Sequence, residues 1–127
     1  MGGLDPYNIE TPEMLIPKWK KITEAVHEYG TLMLVQLFHS GEKGPNLTKV
    51  GWGVSENPVD YDIDRATVPH EMTDSKIEEV IEGYVVYARA AKEAGMDGCE
   101  IHGSYGYLPQ QFWSPWINHR KDKWAEP

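Results

Sequence analysis

The sequence predicts an α/β fold built on a parallel sheet, and three observations predict it. Two amphipathic helical patterns each run through a glycine into a short apolar segment, the alternation of a helix-covered sheet. The first segment, residues 32–38, is apolar on both alternating faces except at Gln36, as in a strand clothed on both sides. The second, residues 98–102, opens into a glycine-punctuated loop that holds His102, Tyr105 and Tyr107. Ligands collect at the carboxyl ends of parallel strands, so these three residues are the first candidates for a site.

Taken in order, residues 1–10 are turn-rich and predict a loop. From Pro17 a helix is expected: Trp19, Ile22, Ala25, Val26 and Tyr29 share one face, Pro17 suits the first turn, and Gly30 suits the left-handed position past the end. In the strand that follows, Gln36 needs hydrogen-bond partners, supplied either by neighbouring loop backbone or by a ligand ring carrying donors and acceptors. Residues 39–70, with four glycines and three prolines, show no persistent period and predict a long binding loop. Thr73 as N-cap and Asp74 in the first turn announce a second helix, whose stripe is Ile77, Val80, Ile81, Tyr84, Val85, Ala88 and Ala91. Gly95 ends it. In the strand 98–102, Glu100 and His102 alternate with Cys99 and Ile101; Glu100, deeper than the strand mouth, reads as a charge partner rather than a catalyst. Trp113, Trp116 and Trp124 are expected to cover apolar surface under the loop.

The chain has 127 residues, 40% hydrophobic and 25% charged, the composition of a globular domain. A formal charge of -8 and no Lys/Arg cluster exclude nucleic acid as a partner. No apolar run nears the roughly 20 residues that span a bilayer, and the first residues lack the plan of a signal peptide. A soluble, cytoplasmic protein with a small-molecule substrate is therefore expected. Cys99 is the single cysteine, and His27, His70 and His119 lack ligand spacing, so no metal site is expected.

Several runs in the same order carry a family resemblance. They are Val35-Gln36-Leu37-Phe38-His39-Ser40-Gly41, Ala90-Ala91-Lys92-Glu93-Ala94-Gly95, Asp97-Gly98-Cys99-Glu100-Ile101-His102-Gly103 through Tyr107-Leu108, and Gln111-Phe112-Trp113-Ser114-Pro115. Together they resemble the old yellow enzyme family of FMN-dependent oxidoreductases, which use a TIM barrel. His39 to Leu47, with Tyr107-Leu108-Pro109, looks closest to the branch of amine dehydrogenases and dienoyl-CoA-reductase-like enzymes. The resemblance implies FMN as cofactor and NAD(P)H as reductant. It implies that Gln36 holds the pyrimidine edge of the flavin, that His102 and Tyr105 bind the oxygen of an electrophilic substrate or an anionic ligand, and that Tyr107 delivers a proton. Three positions depart from the pattern: Tyr105 stands where His or Asn is usual, Glu42 where Arg is common, and Lys123-Trp124-Ala125-Glu126-Pro127 where Tyr-Gly-Gly-Ser is expected.

A TIM barrel needs eight strands and about 250 residues. Residues 1–127 are therefore expected to be one incomplete FMN-binding domain, about half of a barrel, and alone to bind FMN weakly or not at all. A homo-oligomer of the full-length parent is expected. The competing reading is a non-catalytic remnant or interaction module that keeps the βα scaffold without flavin.

Overall fold

The computed structural model describes residues 10–43, 51–56 and 68–125. Residues 1–9 of the loop expected over residues 1–10, the middle of the long loop, and the motif positions Gly44 to Leu47, Glu126 and Pro127 lie outside the described residues. Two compact units are formed, one from residues up to 37 with 78–101, the other from 38–77 with 102 onward.

The first unit holds helix α1 (Pro12–His27), strand β1 (Leu34–Leu37), most of helix α2 (Asp74–Glu93) and a second strand (Gly98–Ile101), numbered β4 because two short strands intervene in the chain. β1 and β4 pair in parallel, with Leu34 opposite Gly98, Val35 opposite Cys99, Gln36 opposite Glu100 and Leu37 opposite Ile101. The predicted alternation and parallel pairing are thus present. Helix α1 starts five residues before the expected Pro17: Thr11 is the extended N-cap, its carbonyl accepting from Met14 and Leu15, and Pro12 is the first-turn proline. Pro17 lies inside the helix and removes one interior hydrogen bond. Gly30 (φ +68°) and Gly95 (φ +83°) take the left-handed positions expected of them.

Leu15, Leu37 and Tyr87 form the buried centre, with Trp19, Val35, Tyr84, Val86 and Ala88 packed around them. The Tyr87 hydroxyl donates to the Glu10 carbonyl at 2.9 Å. Asp97 ties the unit together ahead of β4: its N–H donates to the Met33 carbonyl at 3.0 Å, and Oδ2 accepts from the Met33 N–H and pairs with His27 Nε2, each at 2.8 Å. Those bonds hold the Asp97 carboxyl below its ordinary pKa, the Met33 N–H contributing most and His27 next.

The expectation of a strand buried on both faces is corrected. Leu37 is 6% exposed on the helix-covered side, whereas Leu34, on the other face, is 57% exposed; Ile101, the register partner of Leu37, is 58% exposed where β4 ends. Alternation sends Val35 and Leu37 toward α1 and α2, and among the described residues nothing packs over Leu34 and Gln36. β1 is shorter than predicted at both ends, while β4 starts at Gly98 as expected and stops one residue early, so that His102 begins the loop rather than ending β4.

The second unit holds a 3-10 turn (Gly41–Lys43), the short parallel strands β2 (Trp52–Gly53) and β3 (His70–Glu71), the first turn of α2, and helix α3 (Leu108–Trp113). Where a long loop without a persistent period is expected, the described residues thus contain local order, anchored by Arg120. Its guanidinium, 3% exposed, donates to the carbonyls of Val54 (3.0 Å) and Met72 (2.8 Å) and forks onto Asp122. Asp122 is held below its ordinary pKa, chiefly by the hydrogen bond from Arg120. Thr73 caps α2 as expected, its Oγ1 accepting from the Lys76 N–H at 3.3 Å. Trp124, in the unusual terminal run, donates its indole N–H to Asp74 at 2.9 Å, and Lys123 pairs with the same carboxylate at 3.4 Å. Trp113 and Trp116 do not cover apolar surface, being 64% and 87% exposed. The Trp113 ring lies against Gly103, where a Cβ would come within 2.7 Å of it. No helix among the described residues is long and apolar enough to cross a membrane.

Candidate functional site

Gln36 sits next to the carboxyl end of β1, where the parallel register places it opposite Glu100. Its side chain is exposed, not buried as expected, and its partner is not loop backbone: Nε2 donates to Glu100 Oε1. Glu100 is likewise exposed, so its partner is an amide rather than a buried counter-charge. One amide hydrogen is thereby committed, leaving Gln36 a carbonyl acceptor and a second N–H. That is the donor set a heterocycle edge with alternating donors and acceptors requires, so Gln36 fits a flavin pyrimidine edge.

The loop that follows β4 belongs to the second unit and brings His102, Tyr105 and Tyr107 together. The His102 ring meets Tyr107 edge-on at 4.9 Å between centroids and Tyr105 edge-on at 5.9 Å. Tyr107 in turn lies 5.4 Å from Phe38. The loop makes this cluster by a tight turn: the Tyr107 N–H returns to the Ser104 carbonyl at 3.1 Å, with Tyr105 at φ +57° and Gly106 at φ +72°. Two consecutive left-handed residues are the mark of a type I′ turn, and a tyrosine there costs about 1 kcal/mol. Tyr105 is 78% exposed, so it is not a core residue even though its ring meets His102 edge-on.

Gln111, fully buried on α3, holds this loop in place and was not picked out from the sequence. Its Nε2 donates to the Gly106 carbonyl at 2.7 Å and the Ser40 carbonyl at 3.4 Å, while Oε1 accepts from the Glu42 N–H at 3.3 Å. Gln110 adds an acceptor for the Gly106 N–H at 2.6 Å, and the Leu108 N–H donates to the His39 carbonyl at 2.9 Å. The segment after β1 and the segment after β4 are thus stitched together by the Gln111 amide and by the backbone bond from Leu108 to His39. The available signal was a pair of glutamines in a short apolar run, which does not reveal which of them faces inward.

Residues 11–125 match the model of the NADH:flavin oxidoreductase / NADH oxidase family. The chain belongs to that family. It is 41% identical over 106 residues to an NADH oxidase of Thermoanaerobacter brockii, covering 83% of this chain and 16% of that protein. Over 106 residues it is 40% identical to an NADH:acrylate oxidoreductase of Vibrio harveyi, covering 83% of this chain and 11% of that one. The solved structure of the old yellow enzyme homologue from Zymomonas mobilis superposes with a TM-score of 0.80 at 29% identity, over 99% of this chain and 38% of that chain. The old yellow enzyme resemblance and the partial TIM barrel are therefore both borne out, and the chain spans well under half the length of these relatives.

Proposed function

We propose that this chain supplies a flavin contact and the substrate-binding loop of an FMN-dependent oxidoreductase served by NAD(P)H. The edge-on cluster of His102 with Tyr105 and Tyr107, on the loop directly after β4, is the observation that carries the reading. When bound, FMN supplies a two-electron acceptor and donor of hydride. Gln36 fixes its ring edge. His102 and Tyr105 donate hydrogen bonds to a substrate oxygen, stabilising the charge that develops there. Tyr107 holds the proton destined for the substrate carbon.

The run of rings Phe38, Tyr107, His102 and Tyr105 favours a second substrate class. Aromatic faces attract alkylammonium ions, so oxidation of an amine stands beside reduction of an enone. Stopped-flow flavin reduction by NAD(P)H, compared with reduction by candidate amines, separates the two.

The proposal is tested by phenol titration of the flavoprotein that carries this chain, followed in flavin absorbance. Losing a hydrogen bond to a charged oxygen costs about 1.5–3 kcal/mol, so His102→Ala should weaken binding by about 10- to 100-fold. Unchanged affinity would remove His102 from the site. A protein carrying this chain that retains no flavin would favour the non-catalytic remnant.

A further inference from the structure

We infer that Glu100 is a positioning residue that sets which end of the Gln36 amide meets the ligand, an inference that rests on the flavin reading of Gln36 given above. Gln36 and Glu100 are register partners on parallel strands, so their side chains leave the sheet on the same face. Gln36 Nε2 donates to Glu100 Oε1. An ionised carboxylate accepts hydrogen bonds and cannot donate them, whereas an amide has one end of each kind. Facing Glu100, the amide is therefore held with its NH2 group toward β4 and its carbonyl oxygen turned away. An apolar residue at position 100 would leave the two amide orientations nearly equivalent. The fixed orientation presents an acceptor with a donor beside it, and the ring edge it selects is an imide, with an N–H between two carbonyls. Glu100 thus acts through Gln36 and does not touch the ligand.

The adjacency also explains two exposed polar residues opposite one another in an otherwise apolar strand pair. Glu100 thus sets the orientation of its register partner from an exposed position on the same face.

Two measurements test this. In the 127-residue chain, the Gln36 side-chain NH2 resonances should show one proton displaced downfield by the carboxylate, and Glu100→Ala should abolish the displacement while the β1 backbone resonances stay in place. An unchanged Gln36 signature in Glu100→Ala overturns the proposal. In the flavoprotein that carries this chain, FMN affinity from fluorescence quenching should fall about tenfold in Glu100→Ala, the scale of one lost hydrogen bond. The same change should have no further effect once Gln36 is Leu. If Gln36→Leu weakens FMN and Glu100→Ala does not, the positioning role fails and the flavin contact stands. If Gln36→Leu leaves FMN affinity unchanged, the flavin reading of Gln36 fails and takes the ligand part of this proposal with it.

Discussion

Gly41 packs against Gln111, whose amide bonds the residues on either side of it, and the strength of this steric lock can be measured by a double-mutant cycle. Gly41 has φ +60°, and a Cβ placed on it would lie 2.4 Å from Gln111 Oε1 and 2.8 Å from both Cδ and Nε2. Gly41→Ala therefore incurs two separable costs. The left-handed backbone costs an alanine about 1–2 kcal/mol wherever its side chain goes. Displacing a fully buried side chain from its rotamer costs about 1–3 kcal/mol more. Gln111→Ala alone loses the bonds to Gly106, Ser40 and Glu42 and leaves buried groups unpaired, on the order of 3 kcal/mol. In the Gln111→Ala background the obstacle to a Cβ is gone, so adding Gly41→Ala should cost only the backbone part. The double variant is then more stable than the sum of singles predicts by about 1–3 kcal/mol. Urea unfolding followed by tryptophan fluorescence measures this, with an unchanged m-value as the condition for comparing midpoints. Additivity within about 0.5 kcal/mol would refute the reasoning, because it would mean that Gly41 is required for its backbone alone.

Four further outcomes are expected. Arg120→Ala strands two backbone carbonyls and Asp122, and should cost about 3–5 kcal/mol in the same urea assay; Arg120→Lys should recover little of it, since an ammonium cannot serve a fork and two carbonyls at once. A loss below about 1 kcal/mol in Arg120→Ala would show that the second unit is anchored elsewhere. Asp97 stabilises the first unit with a carboxyl held below its ordinary value of 3.8, so its contribution is complete above that value and is lost as pH falls through the lower folded pKa. Urea midpoints measured from pH 6 to pH 2 should show this acid-side loss in the wild type and a shallower one in Asp97→Asn. Tyr84 has a buried hydroxyl without a partner among the described residues, and burial pushes its pKa up to about 12. The unfolded chain releases that proton near 10, so stability should fall as pH rises from 10 to 12; Tyr84→Phe should remove this loss and add about 1 kcal/mol at neutral pH, a gain that equilibrium unfolding would detect. Finally, the 127-residue chain mixed with FMN should emerge colourless from gel filtration, whereas a yellow chain retaining stoichiometric flavin would show that these residues suffice for binding.

Local chemistry in the sequence determined the order of elements. Of the stripe predicted for α2, Ile77, Val80 and Ala91 are buried whereas Ile81 is 42% exposed, and on the face predicted for α1 Ile22 and Tyr29 are exposed; the cap at Thr73 and the glycines at 30 and 95 act within a few residues of where they stand and do what their type and spacing predict. The same holds for the loop carrying His102, Tyr105 and Tyr107, whose position after an apolar run was readable without any partner. Pro17 misled because two prolines compete for one helix start, and the earlier Thr11-Pro12 pair won. What only the tertiary structure decided are the contacts between residues distant in the chain: Gln111 with Ser40 and Glu42, Arg120 with Val54 and Met72, Gln36 with Glu100. An amide or guanidinium carries no periodicity that names its partner, because a hydrogen bond is specified by direction and distance in space. The sequence therefore established which residues reach the strand ends, and the pairing of the strands established which of them hold one another in position.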